Sequence, residues 1–187
     1  MTAFASAAAH LVTTGLGPFY DGVSHLALTP EDLLPVIAVG LLAGLRGPAH
    51  GRLALLLLPA AWLAGGLAGL AVPGEAGPVA AIVSFLLLGG LLAADAPLPP
   101  RWFAVLTAAV GLLHGALNGA AMGEARLGVT GLAGIVATVF VIVTLASAGA
   151  LVVSMKGAWT RIAVRVAGSW IAAIGLLMIG WWFRGRA

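Results

Sequence analysis

The sequence of 187 residues has no cysteine and very few charged side chains. The absence of cysteine excludes disulfide bonds, thiolate metal ligands and cysteine nucleophiles. Charged residues make up 8% of the chain, about a third of their share in an average soluble domain, which is too few to cover a soluble fold. The nine Lys and Arg residues are scattered, and without a basic cluster no nucleic-acid partner is expected.

Apolar residues fill the chain instead, at 61% of the sequence and a mean hydropathy of +1.12. They form six nearly charge-free stretches, several of about the 18–20 residues that a helix needs to cross a bilayer: 30–46, 53–72, 78–95, 102–123, 130–154 and 162–183. We therefore predict an all-α polytopic membrane protein, a bundle of about six transmembrane helices with short loops. Residues 1–29 form an N-terminal external segment in this prediction, and 184–187 form a tail.

Basic residues are distributed unevenly between the two sides of this six-span arrangement. One side receives six of them: Arg46, Arg52, Arg101, Lys156, Arg161 and Arg165. The other side receives three: Arg126, Arg184 and Arg186. The positive-inside rule then places both termini outside. We expect an integral, multi-pass protein of a bacterial inner membrane, with the lipid bilayer as its main partner.

Glycine is unusually frequent, with 27 residues. Four of them recur every fourth position in the fourth predicted span: Gly111, Gly115, Gly119 and Gly123. This spacing places them on one helix face, where the lack of side chains permits a second helix to approach closely. We predict that this face packs against another helix.

The same span carries an ionisable residue, His114, near its middle. Such a residue is costly in a membrane and is a candidate functional site. Asn118 and Met122 follow at i+4 and i+8 and share its face. The alternative is a structural histidine bonded to a neighbouring carbonyl or hydroxyl. Ser84, in the third span, is expected to bond to a carbonyl of its own helix.

A second group of polar residues precedes the first span. Thr29, Pro30, Glu31 and Asp32 have the pattern of a helix start, with acidic residues near the positive helix end. Helix capping does not account for His25 or for Asp21 nearby, and the group is also typical of an oxygen-rich mouth for a cation. Glu124, at the end of the fourth span, either gates an entrance or lies in an interfacial linker.

These two polar groups resemble the motifs of the HupE/UreJ family of hydrogenase and urease accessory membrane proteins. The first family motif, His, five residues, then Asp-His, corresponds to His25 and Glu31-Asp32. The second, His-Gly-x-Ala-His-Gly, corresponds to His114-Gly115-Ala-Leu-Asn118-Gly119. Two imidazoles of the family pattern are replaced here by oxygen donors, at Asp32 and Asn118, and the acid of the first motif is Glu31. The resemblance spans about residues 15–183 and implies a small polytopic permease associated with nickel supply.

The residues and the resemblance together predict a site for a divalent metal ion, nickel or another first-row transition metal. Its expected ligands are His25, Glu31, Asp32, His114 and Asn118. Asp21, Met122 and Glu124 are expected either to line the pathway or to support the ligands from behind. The predicted function is a membrane permease or metal-handling protein; the alternatives are a non-transporting protein that delivers metal to a metalloenzyme-maturation partner, and a channel for a small neutral solute. Homo-oligomers are a further expectation, and no enzyme is expected, because the sequence shows no nucleophile–base–orienter set.

Overall fold

The computed structural model describes residues 13–72, 78–155 and 157–184. Within these ranges the chain forms seven α-helices and no strand, which confirms the all-α prediction. The helices are α1 (Pro18–Leu28), α2 (Pro30–Arg46), α3 (Pro48–Leu70), α4 (Val79–Ala93), α5 (Pro100–Glu124), α6 (Gly128–Ser154) and α7 (Ala158–Arg184). The last six correspond one to one to the six predicted spans, with ends that differ by up to five residues.

Four of these helices, α3, α5, α6 and α7, are long and apolar enough to cross a membrane. Helices α1 and α2 meet the same criterion together, as one span bent by 74°. Helix α4 has 15 residues and is therefore about 22 Å long, shorter than the roughly 30 Å of bilayer hydrocarbon. The described residues thus contain four or five spans of full length, and the predicted number of six is approximate.

Helix α1 lies within the segment 1–29, where the sequence predicts no helix. It is shorter than a span and carries Asp21, Ser24 and His25, so its composition gives no transmembrane signal. Thr29 separates α1 from α2 with an extended backbone, φ −102° and ψ 98°. Pro30 explains the break, because proline disfavours helical geometry in the preceding residue and suits the first position of the next helix.

Glycine contacts fix how the helices pack. Gly115 and Gly119 of α5 lie against the backbone of Trp62 and Gly66 of α3, in the same chain order. Helices α3 and α5 therefore run parallel. By the same kind of contact α2 is parallel to α6, and α4 is antiparallel to α7. These directions are the ones expected if α2 to α7 run alternately up and down in chain order.

Ion pairs join three helix ends on one side of the bundle. Arg46, the last residue of α2, pairs with Asp95, which follows α4. Arg161 of α7 approaches the same carboxylate, with 2.7 Å between its Nη2 and Asp95 Oδ2. Asp95 has a φ of 49°, a left-handed conformation that aspartate tolerates better than most residues. We call these three residues the Asp95 network.

Candidate functional site

A hydrogen bond between Asp32 and His114 forms the centre of the candidate site. The Oδ1 atom of Asp32 lies 2.8 Å from Nδ1 of His114, and 82 residues separate the two in the chain. Asp32 lies in the first turn of α2, directly after the break at Thr29. His114 is deep within α5, which starts at Pro100 and ends at Glu124. Both residues are buried, with 7% and 1% of their surfaces exposed.

The other ring nitrogen of His114 is bonded as well. Its Nε2 lies 2.8 Å from the Oγ of Ser84 in α4. A carboxylate oxygen accepts, so Nδ1 carries a ring hydrogen, and in the neutral imidazole Nε2 then accepts from the serine hydroxyl. Asp32, His114 and Ser84 therefore form one hydrogen-bonded chain across α2, α5 and α4, which we call the Asp32 chain.

Trp62 of α3 covers one face of the imidazole. The two rings stack with centroids 5.6 Å apart and an interplanar angle of 28°, and Trp62 is fully buried. The glycine face of α5 permits this contact, since a methyl group at Gly115 would collide with the carbonyl oxygen of Trp62. Gly111 and Gly119 pack on α3 in the same way, whereas Gly123 lies farther from it. The predicted helix-packing glycines thus also enclose the site.

Asn118 and Met122 continue the face of α5 beyond His114. The Nδ2 of Asn118 donates to the carbonyl oxygen of His114 at 2.9 Å. Its Oδ1 is buried and has no hydrogen-bond partner among the described residues, so an acceptor oxygen lies one helical turn from the imidazole. Met122 is fully buried. Glu124 is exposed at the end of α5.

The remaining predicted residues lie on α1 and in the first turn of α2. Asp32 interacts electrostatically with His25 and with Glu31. His25 is buried, whereas Glu31 is exposed. Asp21 is bonded locally, because its Oδ1 accepts from the backbone N–H of Thr14 at 2.6 Å and from its hydroxyl at 2.7 Å. The acid groups near α1 therefore have different roles, and Asp21 holds the chain that precedes α1.

The Asp32 chain is closed and is not an open set of metal ligands. Over 13–72, 78–155 and 157–184, no group of three or more His, Asp or Glu side chains is arranged to hold a metal ion. His114 donates to Asp32, so a cation binds both groups only when this hydrogen bond is broken. Convergence of His25, Glu31, Asp32 and His114 on one ion remains a prediction.

Comparison with known proteins assigns the chain to a family. Residues 1–178 match the family model described as HupE / UreJ protein. The chain belongs to the HupE/UreJ family. Searches of curated proteins and of solved structures found no match. In this HupE/UreJ protein the two motif regions meet at the hydrogen bond between Asp32 and His114.

Two residues of this HupE/UreJ site were not among the predicted site residues. Ser84 is the single polar side chain of α4. From the sequence alone it cannot be distinguished from a serine that bonds to a carbonyl of its own helix. Trp62 lies in an apolar span, and no sequence signal relates it to His114. Only the packing of α3 and α4 around α5 identifies both residues.

Proposed function

We propose that this HupE/UreJ protein is a membrane permease for a divalent transition-metal cation, with nickel as the first candidate from the family resemblance. The observation that carries the proposal is the buried hydrogen bond between Asp32 and His114. It joins an acid at the break of a bent helix pair to an imidazole deep inside a membrane-spanning helix. Ionisable groups inside a membrane are expensive and mark ion or substrate pathways.

The bent pair α1–α2 supports a transport function. In many transporters, interrupted helices form the substrate site, because their free ends supply polar groups within the bilayer. Here the interruption at Thr29 places Asp32 in the first turn of α2 and against α5. The break and the ionisable pair therefore coincide in one place.

The chemistry of the nearby donors suits a borderline divalent cation. Imidazole nitrogen binds nickel, copper and zinc well, and carboxylate oxygen supplies compensating negative charge. His114 and Asp32 offer one of each, and the unpartnered Oδ1 of Asn118 offers a neutral oxygen. A site with few ligands also releases its ion, as transport requires.

The absolute orientation is part of the same proposal. The Asp95 network places Arg46 and Arg161 on one side of the bundle, which is the side to which the six-span prediction assigns six of the nine basic residues. The positive-inside rule makes this the cytoplasmic side. Both termini are then outside, in a bacterial inner membrane.

The Asp32 chain has the order of a serine hydrolase triad, yet we propose no enzymatic activity. Ser84 lies in the interior of α4, where backbone N–H groups bond to carbonyls of the preceding turn. Such N–H groups are not free to stabilise an oxyanion, which acyl transfer requires. A hydroxyl, an imidazole and a carboxylate in line therefore serve binding rather than nucleophilic attack.

Flux into proteoliposomes tests the proposal. His114→Gln should lower Ni²⁺ flux by about 10–100-fold or more, since loss of even an outer-shell partner costs that much in metal sites. The matched control is His50→Gln, which changes another buried helical histidine whose Nε2 lies 3.0 Å from the carbonyl oxygen of Leu98. Equal flux in the two variants contradicts the proposal. Ni²⁺ binding without flux in the wild type favours the non-transporting delivery protein instead.

A further inference from the structure

Ser84 bonds differently from three other hydroxyl residues of the membrane helices, Thr138, Thr144 and Ser169. Hydroxyls within membrane helices usually bond to a carbonyl one turn earlier. Thr138, Thr144 and Ser169 do so, to Gly134, Phe140 and Arg165, at 2.8, 2.6 and 3.1 Å. These contacts satisfy each hydroxyl within its own helix.

Ser84 instead reaches from α4 to the imidazole of α5, at 2.8 Å. Both partners are buried, with 4% and 1% of their surfaces exposed. The hydroxyl therefore holds the His114 ring from the side opposite Asp32.

The two sides of the imidazole differ in the donors that they offer a cation. On the Nδ1 side lies Asp32, which interacts electrostatically with His25 and Glu31. On the Nε2 side lies the hydroxyl of Ser84. A divalent cation is held best where carboxylate and imidazole donors meet. The Nδ1 side is therefore the side on which the proposed cation would bind.

Binding at Nδ1 changes the position of the ring hydrogen. A nitrogen that coordinates a metal needs its lone pair, so Nδ1 gives up its hydrogen and the neutral ring carries one on Nε2. The number of hydrogens on the imidazole is unchanged. The group opposite Nε2 must then accept a hydrogen bond where it previously donated one.

We propose that Ser84 is a positioning residue that holds His114 in both tautomers. Its hydroxyl donates to Nε2 while Nδ1–H faces Asp32, and it accepts from Nε2–H when Nδ1 holds the cation. A hydroxyl does both by rotation, because it combines one donor with two acceptor lone pairs. This inference rests on the proposed function, since it concerns the same site and the same cation.

The first test compares Ni²⁺ affinity in purified protein. Ser84→Ala should weaken binding by about 10–100-fold, the usual effect of removing the partner of a metal-bound histidine. Ser84→Thr keeps the hydroxyl and should restore most of the affinity. Ser147→Ala is the control, because Ser147 is a buried serine of α6 outside the Asp32 chain. Thermal unfolding of each variant is measured to test whether its fold is intact.

The second test reads the tautomer directly, by ¹⁵N NMR of histidine-labelled protein, with His114→Gln to assign the signal. Without metal, the wild type should carry the hydrogen on Nδ1. After saturation with diamagnetic Zn²⁺, it should carry the hydrogen on Nε2. A hydrogen on Nε2 before metal addition overturns the inference, and so does one that stays on Nδ1 after it.

The outcomes separate this inference from the proposed function. If the wild type binds neither Ni²⁺ nor Zn²⁺, the proposed function fails and the role of Ser84 in the loaded site fails with it. If the wild type binds and Ser84→Ala binds equally well, only the role of Ser84 is overturned. Weakened binding in both Ser84→Ala and Ser84→Thr also overturns it, because the hydroxyl is then not the feature that matters.

Discussion

The bundle contains two places where a carboxylate joins three helical segments, and their partners differ. Asp32 accepts from the imidazole of His114, which in turn accepts from Ser84. Asp95 instead faces the guanidinium groups of Arg46 and Arg161. The Asp32 chain is buried within the helices, whereas the Asp95 network lies at helix ends.

The difference in partners distinguishes a structural ion-pair network from a substrate-binding site. A guanidinium is always charged and never gives up a proton in proteins, so the two arginines of the Asp95 network act only as charged donors. Imidazole and hydroxyl groups exchange donor and acceptor roles, so the Asp32 chain can open and take a new partner. We infer that the Asp95 network stabilises the fold and that the Asp32 chain binds substrate.

The largest expected effect concerns the helix contact that encloses the Asp32 chain. Gly115→Leu should give no stable protein, because a side chain there collides with the backbone of Trp62. Gly180→Leu is the control, since a side chain at Gly180 meets nothing within 4 Å while the helix propensity changes equally. The yield of monodisperse protein after size-exclusion chromatography measures both. Recovery of Gly115→Leu at the control level would show that α3 and α5 do not approach closely.

The direct comparison exchanges carboxylate for amide in the two regions. Asp32→Asn should lower Ni²⁺ affinity by about 10–100-fold with little change in stability, because the amide oxygen still accepts from His114. Asp95→Asn should do the opposite and lower the free energy of unfolding by about 3 kcal/mol, since it leaves a largely buried arginine without its counter-charge. Thermal unfolding gives the stability of each variant, and metal titration gives its Ni²⁺ affinity. If both variants lose mainly Ni²⁺ affinity, or both lose mainly stability, the two carboxylates do not have different functions.

Within the fold, the sequence predicted the six longer helices because charge-free stretches mark them. Helix α2 agrees at both ends, since Pro30 and Gly47 define its limits. Helix α1 was missed because it is short and carries polar residues; in the structure it packs against α6.

Within the site, Asp32 and His114 stood out because an ionisable group in an apolar context is rare. Ser84 and Trp62 did not, since their roles depend on which helices meet. Asp21 shows the converse: a conspicuous acid near the membrane serves a local bond to Thr14. Spacing along the chain identifies ionisable groups but does not identify their partners.

A smaller effect is expected within the Asp95 network. Arg161→Gln should lower the free energy of unfolding by less than about 1 kcal/mol, because 42% of the Arg161 side chain is exposed and exposed ion pairs contribute little. Arg46→Gln should cost more, since only 13% of that side chain is exposed. Chemical unfolding of both variants in the same detergent shows which of them loses more free energy of unfolding. The reverse order would place the main ion pair of the network at Arg161.

The smallest effect is expected at Trp62. Trp62→Phe retains an aromatic ring against His114 and loses the second ring of the indole, whose N–H has no partner among the described residues. Ni²⁺ affinity should change by less than about threefold, within the 0.5–1.5 kcal/mol attributed to aromatic pairs. Trp62→Leu removes the ring and should weaken binding further. Equal affinities in the two variants would mean that stacking does not orient the imidazole.

The central claim is that Asp32 and His114 bind one cation together. A double-mutant cycle on Ni²⁺ affinity, with Asp32→Asn, His114→Gln and the combined variant, tests it most directly. If one ion uses both residues, each single change should cause most of the loss, and the combined variant should bind little worse than either. If the two losses in binding free energy add within about 0.5 kcal/mol, the residues act independently, and their hydrogen bond is a structural contact rather than a cation site.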